Sequence, residues 1–213
     1  MRFPQARILV FAKPPVPGRS KTRLIPALGP EGAARLHAEL VQHTLLIATR
    51  AALCPVELWC TDPVDHPFFQ LCRGQFDIPC QRQTGADLGE RMAQAMAASL
   101  QTASPVLLIG TDRPTLTRAD LEAALAALSA GHDCVLQPVE DGGYCLIGLA
   151  ARHGADCAQL FEGVDWGTAD VMAQTRARLQ ALGWRWQELD MTWDLDLPED
   201  LPRLKGSRFQ AYK

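Results

Sequence analysis

No run in the chain reaches the roughly 18 apolar residues that a membrane-spanning helix needs. The opening Met1-Arg2-Phe3-Pro4-Gln5 leads into an apolar stretch too short for the core of a signal peptide, so a cytoplasmic protein without a membrane span is expected. No Cys-x-x-Cys occurs among the seven cysteines, an odd number placed mostly in apolar segments, and they read as reduced packing residues. The histidines at 37, 43, 66, 132 and 153 show no metal-ligand spacing, and no Ser or Cys sits in a nucleophile elbow. Two phosphate cradles are missing as well. No Gly-x-Gly-x-x-Gly follows the first apolar run, and Arg19-Ser20-Lys21-Thr22 lacks the glycines that precede the Lys-Thr of a P-loop. A net charge of -3 argues against a general nucleic-acid-binding surface. Carboxylates and cations are the chemistry left.

The cations are concentrated near the start. Ile8 to Ala12 suits a strand buried on both faces, and it empties into a Pro/Gly loop carrying Lys13, Arg19, Lys21 and Arg23. Gly18 and three prolines restrict that loop, which holds the four charges close together at the carboxyl end of a strand. Open α/β sheets bind ligands at such ends, and like charges gathered there suit a di- or triphosphate.

At 213 residues with 47% hydrophobic content, the chain can bury one substantial core, and a single domain over 1–213 is expected. The patterning predicts a crossover helix over 30–53 and a strand over 56–60. A short helix around Phe68 and Phe69 follows, then a weak strand over 78–83, a glycine-bearing loop over 84–92 and a helical face at Met92, Met96 and Leu100. Pro105 to Ile109 reads as the clearest buried strand, with Thr117 capping the next helix. Strands over 134–138 and 144–149 flank the turn Glu140-Asp141-Gly142-Gly143, which allows an antiparallel pair. Helices around Ala158 and over 168–182 and a strand over 184–189 complete the alternation. The expected fold is a three-layer α/β/α sandwich with a mainly parallel sheet and one antiparallel strand.

The acidic residues fall at strand ends or in the turns after them. Asp112, Asp141, Asp194 and Asp196 converge on one rim in this reading, where carboxylate oxygens suit a Mg²⁺ or Mn²⁺ ion that also bridges phosphate oxygens. Asp112, Asp194 and Asp196 are the candidate metal ligands. Plain structural roles stand beside this: a helix cap for Asp112, a turn before Pro198 for Asp194 and Asp196, and a hairpin turn for Asp141.

At these residues the chain resembles the nucleotide-diphospho-sugar transferase superfamily over nearly its full length. More narrowly, Lys13-Pro14, Pro17-Gly18, Lys21-Thr22-Arg23-Leu24, Gly110-Thr111-Asp112, Glu140-Asp141-Gly142-Gly143-Tyr144 and Asp194-x-Asp196-x-Pro198-Glu199-Asp200-Leu201 look like a bacterial glycosyltransferase-like family associated with radical-SAM and selenium-related proteins. The resemblance implies the fold of that superfamily and phosphate contacts from the basic loop, with metal ligation at Asp112 and Asp196. It also implies base or ribose contacts from the loop beginning at Thr84, Gly85 and Asp87. The sequence departs from both subclasses: a Pro-rich turn replaces the Gly-rich signature of nucleotidyltransferases, and Gly110 stands where metal-dependent glycosyltransferases carry the first Asp of Asp-x-Asp.

Three functions remain open at this point. The leading one is metal-dependent glycosyl transfer from a nucleotide-sugar donor to a small-molecule acceptor. Lys21, Arg19 and Arg23 would stabilise the departing phosphate, and Asp141 would serve as base or orient the acceptor. Gly142, Gly143 and Trp166 are the candidate acceptor contacts, Thr168 a helix cap. The second is nucleotidyl transfer from an NTP to a small phosphorylated acceptor, and the third is nucleotide binding without turnover. The oligomeric state is not legible.

Overall fold

A computed structural model gives the structure and describes residues 1–154 and 156–212. Its organising strand is β1 (Arg7–Ala12), whose apolar residues serve two cores at once. Ile8, Val10 and Ala12 face one side of the sheet, Leu9 and Phe11 the other, as the two-residue period of a strand requires. Around it run β2 (Val56–Cys60), β3 (Cys80–Arg82), β4 (Val106–Ile109), β5 (Cys134–Pro138), β6 (Tyr144–Leu149) and β7 (Trp186–Glu188). They form one seven-stranded sheet in the order β3-β2-β1-β4-β6-β5-β7. Only β6 is antiparallel to its neighbours, because the turn after β5 returns the chain directly beside it.

Helices α1 (Ile25–Ala51), α2 (Pro67–Phe76) and α4 (Arg118–Ser129) pack on one face through Leu45, Phe69 and Leu125. On the other face lie α3 (Leu88–Leu100), α5 (Cys157–Phe161) and α6 (Val171–Ala181), packing through Met96, Leu160 and Leu179. This is the three-layer arrangement expected. A third, smaller core joins Leu24, Leu36 and Leu40 at the start of α1 to Leu195, Leu201, Leu204 and Phe209 of the C-terminal segment. That core fixes the last stretch of chain against the basic loop. Among the described residues no helix is long and apolar enough to cross a membrane.

Some bounds differ from expectation for physical reasons. The crossover helix begins at Ile25, before Pro30, because Gly29 at φ +70° lets one helical turn bend into the next. β3 and β7 are shorter than the patterns suggested, and both are edge strands with a hydrogen-bonded partner on one side only. The last long helix starts at Val171 with Asp170 at its N-cap. Thr168 instead closes the preceding turn, its hydroxyl donating to the Asp165 carbonyl at 2.8 Å.

β1 pairs with β2 on one side and β4 on the other, so the connections leaving β1 and β4 run in opposite directions across the sheet. Such a reversal opens a crevice at the carboxyl ends of the two strands. Lys13 follows β1 and Gly110-Thr111-Asp112 follows β4 at that crevice.

Candidate functional site

The loop after β1 is held by its own backbone and by Ser20. The buried Ser20 hydroxyl donates to the Pro14 carbonyl and accepts from the Val16 N–H, both at 2.9 Å. The N–H groups of Arg19 and Ser20 both donate to the Val16 carbonyl, and Gly18 turns the chain at φ +77°. Lys13, Arg19 and Arg23 project from this loop and are exposed.

Lys21 departs from the expected phosphate-facing group. Its side chain is only 3% exposed, and its ammonium contacts the Leu195 carbonyl at 2.6 Å, Asp112 Oδ1 at 2.6 Å and Asp196 Oδ1 at 2.8 Å. Burial alone would lower the Lys21 pKa, but the two carboxylates reverse this and raise it above its ordinary value. Asp112 mirrors the effect: burial pushes its carboxyl up, and the Lys21 ammonium brings it below the usual range. Asp196 is thereby committed, with Arg23 3.5 Å from its other oxygen.

Asp112 presents two different oxygens. Oδ1 is buried against Lys21, whereas the side chain as a whole is 43% exposed. Its backbone carbonyl accepts from the Leu195 N–H at 2.9 Å, which brings Asp194 to the same crevice. Asp194 is half-buried and makes no hydrogen bond or ion pair among the described residues. Burial and the nearby carboxylates of Asp141, Asp196 and Asp112 push its carboxyl up to about 7. Three carboxylates thus act on Asp194 against the one ammonium of Lys21.

Asp112 and Asp194 line a cleft of about 360 Å³ with Lys13, Gly110, Tyr144 and Cys145. Sequence reading missed several of its other residues. His37, 1% exposed on α1, donates from Nε2 to the Lys13 carbonyl at 3.0 Å, and burial holds its pKa below the ordinary value. The contact fixes the tautomer, since a carbonyl can only accept. Gln83, Thr61 and Arg91 also line the cleft. The Gln83 amide nitrogen donates to the Trp59 carbonyl at 2.7 Å, and Arg91 Nε donates to the Gly85 carbonyl at 3.1 Å. None of these four lies in a motif; the clue available was that Gln83 precedes and Arg91 closes a glycine-bearing loop after a strand.

The loop of Thr84, Gly85 and Asp87 is occupied by structural contacts. Asp87 caps α3 by accepting from the Glu90 N–H at 2.8 Å, the Thr84 hydroxyl bonds Gln94, and Gly85 (φ +135°) packs against the backbone of Arg91. Gly142 does similar work: a Cβ there would lie 2.1 Å from the Ala169 carbonyl, so the turn docks closely on the start of α6. Asp141 Oδ1 accepts from the Gly143 N–H at 2.8 Å, and its exposed side chain stands outside the residues lining the cleft, near enough to Asp194 to act on its charge. Trp166, expected over the acceptor, packs instead on Gly89 and lines a separate depression beyond the N-terminus of α3. Arg203, not foreseen, grips Glu140 through two bonds of 2.7 and 2.9 Å and stacks over Trp193, tying the C-terminal segment to the turn.

Among the described residues no three Asp, Glu, His or Cys side chains converge tightly enough to form a complete metal cage. The donor set nevertheless fits a hard divalent ion. Mg²⁺ and Mn²⁺ accept one or two carboxylates and complete their shells with water and phosphate. The exposed part of Asp112 and the unpaired Asp194 offer that pair, while Asp196 is taken by Lys21.

The bacterial family described as "Uncharacterized protein conserved in bacteria (DUF2064)" matches residues 44–168. No curated protein sequence matches the chain. A crystal structure from Desulfovibrio desulfuricans G20, provisionally assigned as a nucleotide-diphospho-sugar transferase, superposes with a TM-score of 0.86 at 29% identity, covering 98% of this chain and 94% of that one. CMP:2-keto-3-deoxy-manno-octonic acid synthetase in complex with CTP superposes at 0.59 with 12% identity, covering 94% and 97% of the two chains. Rv0371c of Mycobacterium tuberculosis H37Rv, in complex with manganese, does so at 0.55 with 16% identity over 95% and 98%. The last two likenesses show the fold alone. The fold is that of the nucleotide-diphospho-sugar transferases.

Proposed function

The chain belongs to this bacterial family, and from its carboxylate-lined cleft we propose a nucleotide-using transferase that moves a glycosyl group from a nucleoside-diphosphate sugar to a small acceptor. The observation that carries the reading is that Asp112 and Asp194, the latter without an ion-pair partner among the described residues, line the same cleft as Lys13 of the basic loop after β1. A bound divalent ion between the two carboxylates would supply Lewis-acid stabilisation of the departing phosphate.

The remaining chemistry falls to the chain. Lys13, Arg19 and Arg23 bind and neutralise the diphosphate as negative charge accumulates on it. Lys21 holds Asp112 in place. Asp141, pinned at one oxygen by Gly143, receives the proton of the attacking acceptor hydroxyl on the open side. Gln83, Thr61 and Arg91 face the nucleoside end.

A diphosphate donor is favoured over a triphosphate by the loop itself. Pro14, Pro15 and Pro17 have no N–H, and those of Val16, Arg19, Ser20 and Leu24 are spent inside the loop. That leaves fewer backbone donors for a third phosphate than a Gly-rich loop would offer. The likeness to a CTP-bound synthetase supports nucleotidyl transfer as the second reading.

Product analysis separates the two. With Mg²⁺ or Mn²⁺, one nucleoside-diphosphate sugar should be slowly hydrolysed to its diphosphate without acceptor, and Asp112→Asn should reduce that rate about a hundredfold or more. Pyrophosphate released from an NTP and a phosphorylated acceptor would favour the second reading. Turnover of neither donor class would contradict the proposal.

A further inference from the structure

The side chain of Lys21 has the surroundings of a metal ion. Its ammonium carries three N–H donors and meets three oxygens, the Leu195 carbonyl, Asp112 Oδ1 and Asp196 Oδ1, all within 2.8 Å. No donor is left for a phosphate, and the group is closed off from the cleft. The backbone supports the same conclusion: Lys21 sits at φ +48°, a left-handed conformation that a non-glycine residue adopts at a cost. That conformation turns the side chain inward, away from the three exposed cations of its own loop.

We propose that Lys21 is a built-in cation holding the place of a second metal between Asp112 and Asp196, so that the site takes a single divalent ion, at Asp112 and Asp194. The charges agree with this. One ammonium and one divalent ion together match the three carboxylates of Asp112, Asp194 and Asp196, and Arg23 beside Asp196 and Asp141 near Asp194 add one further charge of each sign. The geometry agrees too, since Asp112 Oδ1 is buried with the ammonium as its contact, while Asp194, lining the same cleft, makes no ion pair among the described residues. Lys21 is then a positioning residue: it ties the basic loop, the end of β4 and the C-terminal segment into one rim. The inference rests on the metal-assisted reading of the site given above.

Lys21→Met keeps an unbranched side chain but removes the charge, and Lys21→Arg keeps the charge. The test is a titration with Mn²⁺ alone, following free Mn²⁺ by electron paramagnetic resonance, together with the thermal midpoint with and without the ion. The parent and Lys21→Arg should bind one Mn²⁺ per chain. Lys21→Met should bind two, and without metal it should melt on the order of 10 °C lower, because two carboxylates lose their counter-charge. Mn²⁺ should restore most of that loss, a response that a merely structural lysine would not give. If Lys21→Met does not fold without metal, folding recovered by Mn²⁺ gives the same support.

Two bound ions in the parent, or one ion and an unchanged midpoint in Lys21→Met, would overturn the inference and leave the proposed function standing. Weakened nucleotide binding in that last case would return Lys21 to the role of phosphate ligand. No Mn²⁺ bound by the parent would overturn both.

Discussion

Asp133 and Asp194 show how differently two partly or fully buried carboxylates can be treated by one fold. Asp133 is 7% exposed and accepts from the Arg185 N–H at 2.7 Å, Arg152 Nε at 2.6 Å and His153 Nε2. Burial raises its pKa, and these partners outweigh burial and set it below the usual range. Asp194 lacks such partners and moves the other way. The first pattern belongs to structure, and the second leaves a carboxylate without an ion-pair partner in a cleft. Asp133→Asn should therefore cost about 2 kcal/mol at neutral pH, the range for hydrogen bonds to a charged group. A lowered folded-state pKa means that this contribution is complete above the ordinary carboxylate value of about 3.9 and fades as pH falls through the lower folded value. Urea unfolding at pH 7 and pH 3 should show the gap between parent and variant shrinking at the lower pH. The Lys21 contacts were not legible from the sequence, because Leu195 and Asp196 stand 174 and 175 residues away and Asp112 lies at the end of a different strand. A lysine among three other cations reads as a phosphate ligand until the fold supplies those carboxylates.

The elements that sequence patterning located best are those buried on both sides. β2, β5 and β6 span the residues that their apolar runs mark, since each has hydrogen-bonded neighbours on both edges and little freedom at its ends. Local chemistry was equally readable at α4, where Thr117 accepts from the Asp120 N–H and Asp120 returns the bond to the Thr117 N–H. Thr117→Ala should lower stability by about 1 kcal/mol in chemical denaturation without affecting nucleotide binding. The C-terminal segment was harder. Leu201 and Leu204 stand three apart in a short 3-10 helix over Pro198–Leu204, but Leu195 and Phe209 fall outside it, and only the fold brings the four together as a core on α1. Phe209 is fully buried there, so Phe209→Ala should cost about 3–5 kcal/mol and lower the midpoint in calorimetry by roughly 10 °C or more. Donor affinity should fall in the same variant, because this core holds Asp194 and Asp196 at the rim.

For the whole molecule, the sheet order places a crevice beside β1, and the chain assigns opposite charges to its two sides. The basic loop and Asp112 were readable because both follow clear buried strands, whereas His37, Gln83 and Arg91 reach the cleft from a helix, a strand exit and a helix start without a shared motif. A net charge of -3 leaves the cationic side a local feature, suited to a small anion. Nucleotide and divalent ion should therefore bind as a linked pair, each raising the affinity of the other. Calorimetric titration of nucleoside diphosphates and their sugars into the protein, with and without Mg²⁺ or Mn²⁺, tests this most directly. The account predicts tight binding of one base with the ion present, at least tenfold weaker binding without it, and loss of that difference in Asp112→Asn. Equal affinity with and without the ion would contradict it and leave a nucleotide binder that relies on its cations alone.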